Sequence, residues 1–331
     1  MLGVAEDALA ALALDDAQHQ ALLSAVRYNL FGDRSRQTVP NWHKLTDFES
    51  RATAFETGTE SALKQLAAQI ADAATPASLV FDAVLTVTST GNLMPGLSYR
   101  IAHHLDSLVK TNSLFLDLGN VGCTGSLKAV NLAHSLNRDF KNILVVAVEF
   151  PTTLVDLTST EPDVWQGNCT FGDGAAALWI SSDPEQGQMA LRLDELLYTQ
   201  HVNVGSELIH WGYRDYYTFK LANDKIFNRS VQTIVADVLK QVESTWRGVP
   251  DWAIHPAGIT LMMRLGKKLG LPKSALEVST AHYRQCSNMS SVGILHILKE
   301  IAESAAVPTA INLLTMGAGF NVIYGQVRKE R

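Results

Sequence analysis

Short apolar runs alternate with helical patterns along most of the chain. The runs at residues 79–87 and 142–148 are almost continuously apolar, which predicts buried strands. Apolar positions recur with helical spacing at residues 59–73, which predicts an amphipathic helix. Residues 8–30 also have a helical pattern, whereas the polar residues 32–44 predict a loop. Strands that alternate with helices in this way predict α/β layers with partly parallel sheets.

The second half of the chain repeats the order of elements found in the first. Strand, loop, helix, strand, turn and helix are predicted in succession over residues 79–136. The same order follows the predicted strand 252–254, with a helix at 259–269, a segment around Val278 and a helix at 292–301. An internal duplication is the most economical explanation of this order.

The spacing of candidate loop residues agrees with a duplication. His255 precedes Asn288 by 33 positions, which is also the separation between the corresponding loop of the first half and Cys123. We therefore predict an N-terminal half at residues 1–185, which carries Cys123, and a C-terminal half at residues 186–331, which carries His255 and Asn288.

Cys123 lies where a predicted strand turns into a helix. Gly119 and Gly122 precede it, and the helical pattern begins immediately afterwards. The unpaired N–H groups and the dipole at a helix N-terminus favour an anion, so this position favours a cysteine thiolate. The alternative interpretation is that Cys123 is a small buried apolar side chain.

If the two copies pack around a pseudo-twofold axis, Cys123 faces Asn288, and His255 lies beside both. An imidazole can generate or stabilise a thiolate, and N–H donors can bind the oxyanion of an attacked thioester. The backbone N–H groups of Cys123 and of Ala318, in the glycine turn 317–319, are the candidates for that oxyanion hole. His255 and Asn288 can also donate to a second carbonyl and stabilise an enolate after loss of carbon dioxide.

The last glycine turn lacks a residue that a reversible condensation would need. It reads TMGAGF, without a cysteine that could remove an α-proton. Decarboxylation of a malonyl-type extender is therefore the predicted source of the carbanion. Cys286 is the alternative base, and it is otherwise a packing residue. His282 and His296 have no partner pattern and are interpreted as structural or surface residues.

The composition excludes several classes of function. The 331 residues are 47% hydrophobic and carry a formal net charge of -6, which gives no nucleic-acid footprint. No apolar run reaches membrane-spanning length, and residues 1–14 lack the basic start of a signal peptide. The three cysteines are an odd number without metal-like spacing, so we expect no metal, no membrane partner and a reducing cytoplasm.

The sequence resembles the thiolase-fold condensing enzymes, and among them the type III polyketide synthases, in five segments. These are TSTGNLMPGLSYRIA (88–102), GNVGCTGS (119–126), FGDGAAAL (171–178), HPAG (255–258) and SNMSSVGILHIL (287–298). The resemblance implies a thiolase fold, in which two pseudo-duplicated α/β halves give a five-layered αβαβα core. It implies that Cys123 carries the acyl group and that His255 and Asn288 are the other catalytic residues.

The resemblance also implies residues of a substrate cavity. Phe171 and Phe219 match gatekeeper phenylalanines, and Met94 matches a methionine that crosses the interface of a homodimer into the partner's cavity. The remaining cavity positions implied by the resemblance are Ser89, Leu154 and Ser290. Leu154 replaces a small polar residue that is usual in the family, which indicates a more apolar or more restricted pocket.

Together these patterns predict an acyltransferase that performs decarboxylative Claisen condensation on an acyl thioester of Cys123. The acyl donor is coenzyme A or an acyl carrier protein, and no other cofactor is expected. One alternative is an enzyme that joins two preformed β-ketoacyl chains or transfers an acyl group to a non-malonyl acceptor. A remote alternative is a non-catalytic partner subunit, which predicts a degraded triad, although Cys123, His255 and Asn288 are all present.

Overall fold

The structure is a computed structural model, and it describes residues 2–29, 35–73, 79–183, 191–201, 209–213, 217–221, 225–304 and 308–329. The helices are α1 (Leu2–Ala10), α2 (Asp16–Asn29), α3 (Phe48–Ala73), α4 (Leu97–Leu105), α5 (Gly125–Leu136), α6 (Pro162–Thr170), α7 (Lys225–Lys240), α8 (Glu243–Trp246), α9 (Ile259–Leu269), α10 (Glu277–Cys286) and α11 (Gly293–Ala302). The strands are β1 (Phe81–Thr88), β2 (Val109–Gly119), β3 (Asn142–Glu149), β4 (Gly174–Ser181), β5 (Leu191–Gln200), β6 (Ile209–Tyr213), β7 (Tyr217–Leu221), β8 (Trp252–Ile254), β9 (Ala310–Gly317) and β10 (Asn321–Lys329).

Two four-stranded sheets have the same central arrangement. The first has the order β2-β1-β3-β4, with β1 parallel to β3 and β3 antiparallel to β4. The second has the order β5-β10-β9-β8, with β8 parallel to β9 and β9 antiparallel to β10. The predicted duplication is therefore present in the strand pairing. The predicted boundary between residues 185 and 186 lies outside the described residues.

Helices cover both faces of each sheet, which explains the continuously apolar strands. α5 and α11 lie between the sheets, where they contact strands of both and share one buried apolar cluster with them. α3 and α4 cover the outer face of the first sheet, and α7 and α9 cover the outer face of the second. Each fully buried Val, Leu or Ile contributes about 1.5–3 kcal/mol to this core. The five-layered αβαβα architecture is confirmed.

Helix boundaries near the N-terminus differ from the predicted ones because aspartates cap the helices. The predicted helix 8–30 is divided between the end of α1 and α2, since Asp15 and Gln18 exchange hydrogen bonds of 2.8 and 3.1 Å in a capping box that starts α2, and residue 30 lies outside the described residues. Asp47 accepts from the Ser50 N–H at 2.7 Å, and α3 therefore begins at Phe48, well before residue 59.

The segment around Val278 also differs from the first half. The repeat places a second strand there, but residues 277–286 form α10. α10 buries Ser279, His282 and Tyr283, and the Ser279 hydroxyl accepts from the Ile254 N–H at 3.0 Å. α10 therefore packs beside the end of β8, close to the predicted site.

Among the described helices, none has the length and apolar content needed to cross a membrane.

Candidate active site

Cys123 lies in a tight turn at the entry to α5. Residues 122–124 form a 3-10 turn, and Gly122 has a φ of 64°, which favours glycine. The Ser89 Oγ, at the end of β1, accepts the N–H groups of Val121 at 3.1 Å and Gly122 at 2.8 Å. These bonds fix the turn against the sheet, and Cys123 as a whole residue stays partly exposed although its sulfur is surrounded by protein.

Asn288 occupies the corresponding turn of the second half. Its N–H donates to the Thr170 carbonyl at 3.0 Å, and its own carbonyl accepts the Gly172 N–H at 3.1 Å. Its Oδ1 accepts the Ser290 N–H at 2.9 Å, which orients the side-chain NH2 as a donor. This bond closes an Asx turn immediately before residues 290–292.

The Cys123 and Asn288 turns meet between the two sheets. The side chains of Asn288 and Ser290 lie in hydrogen-bonding contact with the Cys123 sulfur, which favours its thiolate. The single hydroxyl proton of Ser290 is directed either to this sulfur or to the Glu149 carboxylate. The Ser126 hydroxyl at the start of α5 donates to the Ser291 carbonyl at 2.6 Å, and thereby ties the two turns together. A side chain at Gly125 would overlap Val87 and approach Ser291, so glycine permits this close packing.

His255 directly follows β8, and its backbone N–H donates to the Leu314 carbonyl at 2.8 Å. Its side chain is 1% exposed. Neither ring nitrogen has a hydrogen-bond partner within the described part of the chain. Burial, and secondarily the neighbouring His282, lowers the pKa of His255 to about 3. The imidazole is therefore neutral at rest and able to exchange a proton.

The glycine turn at residues 317–319 lies against the Cys123 turn, as the sequence predicts. A Cβ built on Gly317 would stand 3.1 Å from the Cys123 nitrogen. A Cβ built on Gly122 would stand 3.2 Å from the Ala318 nitrogen. The missing side chains therefore allow two backbone segments to approach closely at the nucleophile.

Glu149 is a buried acid that the sequence analysis did not assign to the site. It is the last residue of β3, and it is fully buried. Its carboxylate accepts the Ser89 N–H at 3.0 Å and the hydroxyls of Ser290 at 3.1 Å and Ser291 at 2.6 Å. Burial raises its pKa. A polar residue at the carboxyl end of a parallel strand is the signal that could have identified it.

The thiol form of Cys123 is favoured in the absence of substrate. Burial of its sulfur, and secondarily the charge of Glu149, raises the pKa of Cys123 to about 12. The hydrogen bonds from Ser290 and Asn288 oppose this effect. The predicted preference of the helix N-terminus for a thiolate is therefore outweighed by desolvation.

Three of the predicted cavity residues line one small cavity, namely Leu154, Phe171 and Ser290. Its volume is about 10 Å³, which is the space of about one water molecule. Arg36 donates to the Phe171 carbonyl and fixes the backbone at that wall. Leu154 contributes an apolar wall to this cavity.

The other predicted cavity residues are placed differently. Ser89 is buried behind the Cys123 turn, where its hydroxyl is occupied by backbone donors. Met94 is 92% exposed on the single chain. Phe219 belongs to β7, but its side chain lies outside the described part of the structure.

Cys286 is a partly exposed thiol on α10, two positions from Asn288. It lines a broad cleft beside β4 rather than the small cavity. In the part of the chain that the structure describes, no group of three or more His, Cys, Asp or Glu side chains is arranged to hold a metal ion.

Two family models match consecutive parts of the chain. The model of 3-oxoacyl-[acyl-carrier-protein] synthase III matches residues 116–195, which include Cys123. The model of the C-terminal domain of chalcone and stilbene synthases matches residues 205–325, which include His255 and Asn288. The chain is a condensing acyltransferase related to the type III polyketide synthases. The order of the two matches follows the order of the two sheets.

Several solved structures have the same fold over almost the whole chain. The 1,3,6,8-tetrahydroxynaphthalene synthase from Streptomyces coelicolor A3(2) is 20% identical, with a TM-score of 0.87 over 100% of this chain and 95% of its own. The C-terminal type III polyketide synthase domain of Steely1 from Dictyostelium is 18% identical, with a TM-score of 0.84 over 99% and 94%. CsyB complexed with CoA-SH is 21% identical, with a TM-score of 0.84 over 99% and 96%. These likenesses establish the thiolase fold of this condensing enzyme.

Proposed function

We propose that this condensing enzyme carries an acyl group as a thioester on Cys123 and extends it with a malonyl-type unit by decarboxylative Claisen condensation. The observation that supports this most directly is the contact of the Cys123 sulfur with Asn288 and Ser290, which come from the opposite half of the duplicated fold. A neutral, buried His255 completes the set of groups that the reaction needs.

Acylation begins from a thiol and a neutral imidazole. As the sulfur of Cys123 attacks the thioester carbonyl, His255 accepts the thiol proton and then returns it to the leaving thiolate. The N–H groups of Cys123 and Ala318 receive the oxyanion. The close approach of the Gly317 and Gly122 backbones supports this role for the two donors.

Extension uses the side-chain hydrogen-bond donors of the site, which bind the carbonyl of the extender. The Asn288 NH2 and the His255 ring N–H donate to the thioester carbonyl of the extender. Carbon dioxide leaves, and the resulting enolate attacks the carbonyl of the Cys123 thioester. The bond to Cys123 breaks, and the lengthened chain leaves on the extender's carrier. Because decarboxylation supplies the carbanion, the proposed reaction needs no cofactor besides its thioester substrates.

The acyl donor that we propose is coenzyme A rather than an acyl carrier protein. One related structure, CsyB, is described with CoA-SH bound. Arg264, Lys267 and Lys268 are exposed on α9, which starts four residues after His255. Cations at this position are suited to the phosphates of a nucleotide carrier.

We also propose a homodimer that forms along the β2 edge of the first sheet. Within the described residues, β2 pairs with β1 on one side only, so its other edge is open. Three large apolar side chains are exposed near this edge, with exposed fractions of 37% for Leu116, 57% for Tyr99 and 92% for Met94. Antiparallel pairing of β2 with its copy would cover them and direct Met94 toward the partner.

A reducing compartment, such as the cytoplasm, is the proposed location. Cys123, Cys169 and Cys286 are all free thiols.

The proposal can be tested by product formation. Wild-type enzyme is incubated with a series of acyl-coenzyme A starters and malonyl-coenzyme A labelled in its free carboxyl group. We expect starter-dependent release of labelled carbon dioxide and a chain-extended product. Cys123→Ala should make no extended product, whereas Cys286→Ala, which changes the other partly exposed thiol, should behave as wild type. Absence of an extended product from the wild type with every starter would refute the proposal.

A further inference from the structure

Two histidines outside the proposed catalytic set pack against each other beside it. His282 on α10 and His296 on α11 have ring centroids 5.8 Å apart, with an angle of 82° between the rings. His282 is 4% exposed, and its Nε2 has no hydrogen-bond partner among the described residues. The Nε2 of His296 lies 3.0 Å from the Ala175 carbonyl on β4. Burial of an unpaired polar atom costs free energy, so the His282 Nε2 is a candidate for a functional role.

His282 and Pro256, the residue after His255, lie on either side of a glycine. A Cβ built on Gly293 would stand 2.9 Å from the ring of Pro256 and 3.8 Å from the His282 Nε2. His282 is also the neighbour whose charge acts on the pKa of His255. Gly293 therefore leaves space between the His282 Nε2 and the segment that carries His255.

The far side of the pair faces solvent. His282 and His296 line the broad cleft beside β4, which has a volume of about 2330 Å³. Lys299 and Glu300 line the same cleft. His255 does not belong to its lining among the described residues. The three imidazoles therefore form a series from the cleft, through His296 and His282, to the buried His255.

The proposed condensation consumes one proton in each extension. The malonyl carboxylate leaves as neutral carbon dioxide, its electron pair forms the new carbon–carbon bond, and Cys123 leaves the thioester as a thiolate. One proton must therefore reach the site before or during the next acylation, to neutralise this thiolate or the carrier thiolate that acylation releases. That proton comes from water and has to reach a buried site.

We propose that His282, with His296 behind it, conducts this proton from the cleft to His255, which gives it to the Cys123 thiolate. The inference rests on the proposed function. His282 acts through His255 and is therefore a positioning residue. Burial, and secondarily His296, lowers the pKa of His282 to about 4, so the ring is neutral between transfers and does not retain the proton.

The test compares His282→Gln and His296→Gln with wild type. Glutamine lacks the two ring nitrogens with which histidine takes up a proton on one side and releases one on the other. At position 296 its NH2 can still donate to the Ala175 carbonyl. His134→Gln is the matched control, because His134 is an exposed histidine on α5 that lines the same cleft. Acylation of Cys123 and extension with malonyl-coenzyme A are measured separately, in single-turnover and multiple-turnover experiments.

We expect His282→Gln to complete the first acylation and the first extension at wild-type rates but to turn over about tenfold more slowly, because the site must take up a proton before the next cycle and a positioned proton-transfer group contributes at least that much. Its multiple-turnover rate should show a larger solvent deuterium isotope effect than that of the wild type, and added imidazole should restore part of the rate. His296→Gln should show a smaller loss of the same kind, and His134→Gln none. A structural role alone would not give rescue by imidazole.

The proposal is overturned if the multiple-turnover rate of His282→Gln is unchanged, or if it falls without an isotope effect and without rescue. A folded variant that loses as much rate in the first acylation or the first extension as in multiple turnover would also overturn it. Failure of the proposed function is distinguishable, because wild-type Cys123 would then not be acylated at all.

Discussion

Removal of the Glu149 carboxylate should destabilise the fold by about 3 kcal/mol. Glu149 accepts three hydrogen bonds, from the Ser89 N–H and from the hydroxyls of Ser290 and Ser291. Each such bond contributes about 1 kcal/mol net, and Glu149→Ala removes all three. Glu149→Gln should cost less than about 1 kcal/mol, because its oxygen can accept the N–H while its NH2 donates to the serine hydroxyls.

The same pair of variants tests the charge state of Glu149. Its pKa in the folded protein is raised above 4.5, so between that value and the raised one the folded protein binds a proton that the unfolded chain has released. The free energy of unfolding of the wild type therefore falls as the pH rises through this window, by up to about 1.4 kcal/mol for each pH unit. Glu149→Gln lacks this contribution.

Urea unfolding of the wild type, Glu149→Gln and Glu149→Ala at a series of pH values between 4 and 8 measures both effects. We expect the stability of the wild type relative to Glu149→Gln to decrease steadily as the pH rises. A pH-independent difference would show that the pKa of Glu149 is not raised. An alanine variant as stable as the wild type would refute the argument from its three hydrogen bonds.

Four further outcomes are expected. Burial raises the pKa of Asp173 from 3.8 to about 6, so the free energy of unfolding of the wild type should fall by about 3 kcal/mol as the pH rises from 4 to 6. Urea unfolding of Asp173→Asn should not show this fall; equal pH dependence of the two proteins would contradict this. Asn288→Asp should slow extension of the acylated enzyme with malonyl-coenzyme A by at least about 100-fold, measured by product formation, because it replaces a donor to the extender carbonyl by a negative charge; extension within a few-fold of wild type would rule out that role. Alkylation of Cys123 by iodoacetamide should keep accelerating up to pH 9, since the pKa of the thiol is about 12, and a plateau below pH 8 would show that it is not raised. Leu116→Lys should convert the proposed dimer into monomers in sedimentation experiments, because a charge at an open strand edge opposes pairing, and a persistent dimer would place the interface elsewhere.

The central strands could be predicted because their sequence environment is simple. β1 and β3 are covered by helices on both faces, and each is therefore buried at nearly every position and mostly apolar. The predicted runs ended within two residues of the observed strands. The strand order was not predictable from these runs, since it depends on pairing between distant segments.

α10 shows where the local pattern was insufficient. Its sequence, EVSTAHYRQC, contains few apolar residues, and its buried face includes Ser279 and His282. These polar groups are buried because of tertiary contacts with β8 and α11, which periodicity does not record. For the same reason, His282 and His296 were interpreted only as structural or surface residues.

Within the candidate site, residue types and spacing were sufficient to predict that Cys123 and Asn288 would meet. The role of Glu149 in the site could not be predicted in that way, because its partners Ser89, Ser290 and Ser291 come from both halves of the chain. The charge state of Cys123 also depended on burial, which a helix N-terminus pattern does not reveal. The burial and the contacts of these two side chains, rather than their residue types, therefore determine the role of Glu149 and the charge state of Cys123.

The most direct test of the proposed mechanism is the mass of the enzyme after incubation with acyl-coenzyme A starters, followed by mapping of the modified peptide. We expect a single acyl adduct on the peptide that contains Cys123, absent from Cys123→Ala and retained in Cys286→Ala. An adduct on another residue, or no adduct with any starter, would contradict the assignment of Cys123 as the nucleophile.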